Sequence, residues 1–260
     1  MPLNLSVVVI ARNEHDRIKD CLENVHGWLD EIIVVDDQST DDTCAIAARY
    51  TDKIFTRHME LEGKQRNFGA SKAKNDWILI LDCDERLTEE LKNQIAAAIN
   101  GTDAKIGAYW AGQVNYLGDV PLNYGGWSSP HIRLYNKNAA QWSEAAHDVI
   151  HPGFKILPGF SGGHLNGKNI HYSFRNVEDF IAKINRYSTL EAIKWHLDGR
   201  KMSRGKAIWR TVDRFFRRFI GKKGYKDGYA GFIAAVLSSF HELAAYSKYR
   251  EIKEKGCYII

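Results

Sequence analysis

The 260-residue sequence predicts an α/β domain in which helices cover a largely parallel sheet, followed by a basic helical appendage. Three observations predict it. Short apolar runs alternate with helical periodicity over the first hundred residues. Two of those runs end directly in acids, as strand ends facing a ligand crevice do. After Gly199 the composition turns to Lys, Arg and aromatic residues.

Taken in order, residues 5–11, 31–36 and 77–82 are continuous apolar runs and read as buried strands. Residues 14–28 place Ile18, Leu22 and Val25 at helical spacing, and residues 40–49 supply a second helix with acids in its first turn. Residues 53–57 form a further short strand. Thr88 is a strong N-cap for a helix over 88–99 carrying Leu91, Ile95 and Ile99. Residues 101–172 are richer in Gly, Trp, Tyr and His, with short strands expected at 109–115, 131–136 and 168–172. Helical spacing resumes over 178–196 through Phe180, Ile184, Tyr187 and Ala192, and over 231–243 through Phe232, Val236, Phe240 and Leu243. The expected division is one domain over 1–200, with halves 1–100 and 101–200, and a basic amphipathic region over 201–260.

Composition excludes several classes. With 44% hydrophobic and 26% charged residues the chain can form a core, unlike a disordered tail. Cysteines at 21, 44, 83 and 257 are too widely spaced for a zinc ribbon or a disulfide scaffold, which favours a reducing cytoplasm. The apolar run at 5–10 is followed at once by Arg12, Asn13 and Glu14, unlike a signal peptide, and no stretch is apolar enough for a plain bilayer span.

The net charge is only +4, but residues 201–226 hold ten Lys/Arg against Asp213 alone, so the remainder is acidic. Ile208, Trp209, Val212, Phe215, Phe216 and Phe219 are interleaved with those cations. That mixture suits attachment to an anionic membrane surface. An ordinary terminal helical pair packed on the domain is the competing reading. Nucleic acid is not expected as a partner, because no base-stacking sheet or helix-turn-helix signal accompanies the basic patch.

No GxGxxG follows the first strand and no Walker sequence occurs, so two common phosphate cradles are excluded. The acids remain. Asp36, Asp37, Asp82 and Asp84 should converge beyond the carboxyl ends of their strands. On an extended segment Asp82 and Asp84 would point to one side, with Cys83 opposite, and their oxygens suit Mg²⁺ or Mn²⁺ bridging a diphosphate. The alternative is a strand-terminal turn leading to the cap at Thr88.

Three segments decide the weighting: Ser6-Val7-Val8-Val9-Ile10-Ala11-Arg12-Asn13-Glu14, Ile33-Val34-Val35-Asp36-Asp37-Gln38-Ser39, and Leu81-Asp82-Cys83-Asp84-Glu85-Arg86-Leu87. In order and interval they resemble the inverting family 2 glycosyltransferases with the GT-A fold, over roughly residues 4–175. The resemblance is nearest to the bacterial lipopolysaccharide-core β-glucosyltransferase group. It extends to Gly224-Tyr225-Lys226-Asp227-Gly228-Tyr229-Ala230-Gly231-Phe232, where Lys226 replaces an apolar residue.

The resemblance implies a nucleotide-diphosphate sugar as donor, a UDP-hexose first. Ala11, Arg12, Asn13 and Glu14 would border the nucleotide, and Asp37 or Asp36 would contact the uracil or ribose. Asp84 would be the principal metal ligand, with Asp82 and Cys83 beside the ribose and diphosphate. Lys64 and Arg66, in Gly63-Lys64-Gln65-Arg66-Asn67, are phosphate or sugar contacts by the same resemblance, or else salt-bridge partners. In the half facing a glycan or glycolipid acceptor, Trp142-Ser143-Glu144-Ala145-Ala146-His147-Asp148 resembles the family's Val-His-Glu segment, which makes Asp148 the expected general base ahead of Glu144. His171 matches a later family histidine that completes the metal shell or touches the diphosphate, with His147 and His151 as competitors. Tyr124, Trp127 and Trp142 would stack on sugar faces or form a small core, and Arg133 would orient a phosphate or an acceptor carboxylate. The implied activity is transfer of a hexose, glucose first, to a lipopolysaccharide-core or other surface glycan at the inner face of a bacterial cytoplasmic membrane. A nucleotidyltransferase and a noncatalytic glycan-binding protein are the alternatives.

Overall fold

The computed structural model describes residues 2–101, 105–145 and 153–255. The first hundred residues run β1 (Leu3–Ala11), α1 (Ile18–Val25), β2 (Leu29–Asp36), α2 (Thr43–Ala47), β3 (Ile54–Thr56), α3 (Glu62–Ser71), β4 (Trp77–Ile80), β5 (Glu85–Leu87) and α4 (Glu89–Asn100). Then come β6 (Ile106–Leu117), β7 (Val120–Leu122), β8 (His131–Asn136), β9 (Ala140–Trp142), β10 (Phe154–Ile156) and β11 (Ser161–Phe174). The chain closes with α5 (Val177–Leu197), α6 (Arg204–Phe216) and α7 (Gly228–Lys255). Two compact units divide it: Met1–Gln113 with Ser129–His171, and Val114–Ser128 with Tyr172–Ile260.

In the first unit the sheet is mixed, with strand order β3-β2-β1-β4-β8-β6-β11-β5. β1 pairs in parallel with β2 and with β4, whereas β8 is antiparallel to β4 and β5 antiparallel to β11. Central position explains the composition of β1: Leu5, Val7 and Val9 pack with Ile18 and Leu22 of α1 and Leu91 of α4, while Val8 packs on the other face with Ile33, Ile78 and Ala70. Helices on both faces leave no polar side for a parallel strand to show. Each such aliphatic side chain, fully withdrawn from water, contributes about 1.5–3 kcal/mol.

Helix α3 escapes the periodicity search because Gly63, Lys64, Gln65, Arg66 and Gly69 give it no apolar stripe. Close approach holds it in place instead: a Cβ at Gly69 would lie 2.4 Å from Val8 Cγ1 and 3.1 Å from Val35 Cγ2, so only glycine lets the helix lie on β1 and β2. Thr88 caps α4 as expected, its hydroxyl accepting from the Leu91 N–H at 3.3 Å.

In the second unit, α5 and α7 share two apolar clusters. Phe180 and Ile184 meet Ala234, Leu117 and Leu122, and further along Ala192 and Trp195 meet Ala245, Tyr246 and Tyr249. The units therefore part elsewhere than at residue 200, since α5 buries its apolar face against α7. Ser203 caps α6, which is followed by a single π-helical turn at Arg217–Gly221 and a 3-10 turn at Gly224–Asp227. α7 starts slightly before the expected 231–243 and runs well past its end, to Lys255. Among the described residues, no helix is long and apolar enough to cross a membrane.

Candidate active site

The parallel pairing brings the carboxyl ends of β2, β1 and β4 together, and Ala11 is the register partner of Asp36. The loops after β1 and β2 are tied to each other. The Asn13 N–H donates to Ser39 Oγ at 2.9 Å, the Thr40 N–H to Asn13 Oδ1 at 2.8 Å and the Glu14 N–H to Thr43 Oγ1 at 2.8 Å. Asn13 adopts φ +53° and Gln38 φ +55°, left-handed values that asparagine tolerates better than most residues. Asp36 is spent on this loop, its carboxylate accepting the Ser39 N–H. Asp37 is buried beside Arg12: it accepts from Arg12 Nη1 at 2.9 Å and from the Met59 N–H at 2.7 Å, with His58 Nδ1 at 3.4 Å. Arg12 remains 61% exposed over that buried carboxylate.

The second acid group departs from the extended expectation. Residues 82–85 form a turn closed by the Glu85 N–H on the Asp82 carbonyl at 2.9 Å, so Asp82 and Asp84 diverge. Asp82 Oδ1 receives Arg66 Nη2 at 3.0 Å. Asp84 Oδ2 lies 3.5 Å from Arg17 Nη1 and 3.4 Å from His171 Nε2. Cys83 is not a donor contact: it is buried, its thiol reaches the Ile10 carbonyl at 3.6 Å, and burial pushes that thiol well above its ordinary pKa. Burial pulls the imidazolium of His171 down, but the hydrogen bond and charge of Asp84, with Glu85 and Asp82 behind it, raise it above the usual histidine value.

The expected three-ligand set of Asp82, Asp84 and His171 is thus not assembled, and among the described residues no three His, Cys, Asp or Glu side chains cluster for a metal. Asp84 and His171 alone face each other. A carboxylate oxygen and an imidazole nitrogen so placed fit two positions of a divalent ion that takes its remaining ligands from phosphate and water.

Arg133 faces inward rather than toward any acceptor. It is 3% exposed and forks onto Glu85, Nη1 to Oε2 at 2.6 Å and Nη2 to Oε1 at 2.5 Å, with Gln113 Oε1 at 2.9 Å. Glu85 Oε2 also accepts the Asp82 N–H at 3.1 Å, so this pair holds the turn that carries both acids. Burial pushes the Glu85 carboxyl above its ordinary value, and the Arg133 guanidinium offsets only part of that rise. Lys64 pairs with Glu60 at 2.7 Å on the helix surface. Arg66 bonds Glu62 as well as Asp82 and lies 5.1 Å from the Trp142 ring.

Behind Trp142 opens a cavity of about 550 Å³ lined by Asn67, Trp142, Glu144, Phe154 and Lys155. Asn67 shapes it, donating to Glu144 Oε1 at 2.8 Å and to the Trp142 carbonyl at 2.9 Å. Asp148, His147 and His151 lie outside the described residues. In the second unit, Trp127 is half-buried between Phe174, Phe180 and the Arg218 guanidinium, 4.3 Å from its ring, so it belongs to a small core. Tyr124 is exposed, with Lys226 Nζ 5.3 Å from its ring.

Sequence reasoning missed Arg17, His58, Asn67 and the role of Glu85. Glu85 had a legible signal as the third acid of the 82–85 run. Arg17, His58 and Asn67 had none, because their partners lie 67, 21 and 77 residues away.

A model of Glycosyl transferase family 2 matches residues 6–154, more than half of the chain. An uncharacterised glycosyltransferase of Rickettsia typhi is 30% identical over 268 residues, covering 98% of this chain and 90% of its own. The lipopolysaccharide core biosynthesis glycosyltransferase LpsC of Rhizobium meliloti is 25% identical over 256 residues, covering 95% and 92%. Among solved structures, glucosyl-3-phosphoglycerate synthase from Mycobacterium tuberculosis aligns at TM-score 0.48 with 15% identity, covering 77% of this chain and 82% of that one. The mixed sheet with its terminal helices is the GT-A arrangement expected from the sequence, and the chain belongs to glycosyltransferase family 2.

Proposed function

We propose that this glycosyltransferase moves a hexose, glucose first, from a UDP-sugar to a lipopolysaccharide-core or related surface glycan, with inversion at the anomeric carbon. The observation that carries the reading is the set of carboxylates at neighbouring strand ends, each matched by a cation: Asp37 with Arg12, Asp82 with Arg66, and Asp84 with Arg17 and His171. Such a crevice offers acceptors to a base and ribose and cations to a diphosphate. The similarity to LpsC supports the acceptor class.

Asp37 accepts hydrogen bonds from the uracil or ribose once Arg12 swings to the phosphates. Arg66, kept charged by Asp82 and Glu62 against its burial, stays beside the leaving group. Asp84 and His171 are the residues that would hold Mg²⁺ or Mn²⁺, whose charge would offset that of the departing diphosphate. The cavity behind Trp142 takes the acceptor sugar, its aromatic wall meeting the apolar sugar face. Asp148 takes the proton of the attacking hydroxyl, because the Glu144 carboxylate is already engaged by Asn67. One displacement inverts the centre, and no covalent enzyme intermediate forms.

A sugar-nucleotide panel assayed with and without Mg²⁺ or Mn²⁺ tests this. Release of nucleoside diphosphate, strongest with a UDP-hexose, is the expected result. Release of pyrophosphate would assign a nucleotidyltransferase, and glycan binding without turnover of any donor would assign a noncatalytic protein. Asp148→Asn should abolish most transfer while retaining donor binding, and normal turnover would remove Asp148 from the base role.

A further inference from the structure

Packing of α6 on α7 consumes one face of α6 and leaves the other apolar. Ala207 is buried, and Arg210 and Arg214 both turn inward to Glu242. Ile208, Trp209, Val212 and Phe216 instead stand 58%, 65%, 49% and 57% exposed. At 100° per residue they occupy a stripe about 100° wide. Ile220, within the π-helical turn that follows, is exposed as well.

Helix α7 carries a matching row. Tyr229, Phe232, Val236, Phe240 and Leu243 recur every three or four residues, and all are exposed. The two rows meet, since Phe215 and Phe219 pack edge-on against Phe232, while Ile208 and Leu243 line one groove of about 380 Å³. Arg204 and Arg250 also line that groove, together with Glu251 and Glu254; Lys206 is exposed on α6, and Lys222 and Lys223 are exposed in the segment that follows it. A contiguous apolar face of this kind rimmed by cations marks an interaction surface.

We propose that this α6–α7 face is an interfacial surface for an anionic lipid bilayer, with Trp209, Phe216, Ile220 and Phe240 entering the head-group boundary and the surrounding Lys and Arg meeting lipid phosphates. Charge selects this occupant over a second copy of the chain. A two-fold dimer through the same face would bring the exposed Arg204, Lys206, Lys222 and Lys223 of the two copies against each other. An anionic monolayer complements them. The proposal holds whichever sugar the first unit transfers.

Co-sedimentation of the full chain with phosphatidylcholine vesicles, with or without about 30 mol% phosphatidylglycerol, is the experiment. Binding should require the anionic lipid and weaken with added salt. Lys206→Glu and Lys222→Glu should each cost about fivefold or more in partitioning. Trp209→Ser with Phe216→Ser should cost at least about tenfold while far-ultraviolet circular dichroism stays unchanged. Brominated lipid should quench tryptophan emission in the wild type and less in Trp209→Phe. Equal sedimentation with both vesicle types, no sedimentation with either, or a concentration-dependent dimer abolished by the double variant would overturn the proposal. UDP-sugar hydrolysis measured without vesicles is expected to be unaffected in these variants, so failure of lipid binding and failure of the sugar-transfer reading are distinguishable.

Discussion

Replacing Arg133 with methionine should destabilise the protein by about 3–5 kcal/mol, the cost of stranding one member of a buried ion pair. The geometry warrants the upper part of that range, because Glu85 is 2% exposed and would keep only the Asp82 N–H after losing both guanidinium bonds. For a domain of this size the melting temperature should fall by about 6–20 °C. Thermal circular dichroism measures it. The double variant Arg133→Met with Glu85→Gln should recover most of the loss, since the glutamine oxygen still accepts from Asp82 and no charge remains buried. Because the same pair closes the 82–85 turn, the single variant should also weaken binding of UDP-sugar more than the double variant does. A single variant within about 1 kcal/mol of wild type, or a double variant no better than the single, would refute the claim that this clamp holds the acidic turn.

Three further outcomes follow from named contacts. Gly69→Ala should cost about 1–3 kcal/mol in urea unfolding, because its methyl would overlap Val8, and Val8→Ala should restore part of the loss. Asp84→Ala should abolish any stimulation of donor hydrolysis by Mn²⁺, and an unchanged response to the metal would remove Asp84 from the metal site. The Glu242 carboxyl, pushed up by burial but lowered overall by its hydrogen bond to Arg210 and the charges of Arg214 and Arg210, titrates below an ordinary glutamate. Its contribution to stability is therefore full above the unfolded-state value of about 4.3 and is lost as pH falls through the depressed folded value. The stability difference between wild type and Glu242→Gln, followed by helical ellipticity, should shrink below about pH 4.5, and a difference that grows there would contradict the sign.

Much of the first hundred residues was legible from the chain alone. β1, β2 and β4 bury both faces, so their apolar runs needed no partner to be recognised, and Thr88 announced α4 through its own hydroxyl. Helix α3 was invisible because Gly69 and a polar surface replace the usual stripe. The short strands β5, β7, β9 and β10 have three residues each, too few to show a period. Sequence proposed Arg133 as a ligand contact, and only a fold that buries β8 beside β6 could reveal that Glu85 had claimed it.

The sequence by itself determined β1, β2 and β4, the helices α1, α2 and α4, and which strand ends carry acids, because these follow from local periodicity and from runs of adjacent residues, while the family showed in the resemblance of three short segments. Tertiary structure decided which cation answers each acid, that the 82–85 run turns instead of extending, and which side of α6 is left facing outward. Those outcomes depend on contacts between residues tens of positions apart, where burial and charge pairing act through space and leave no mark on neighbouring letters.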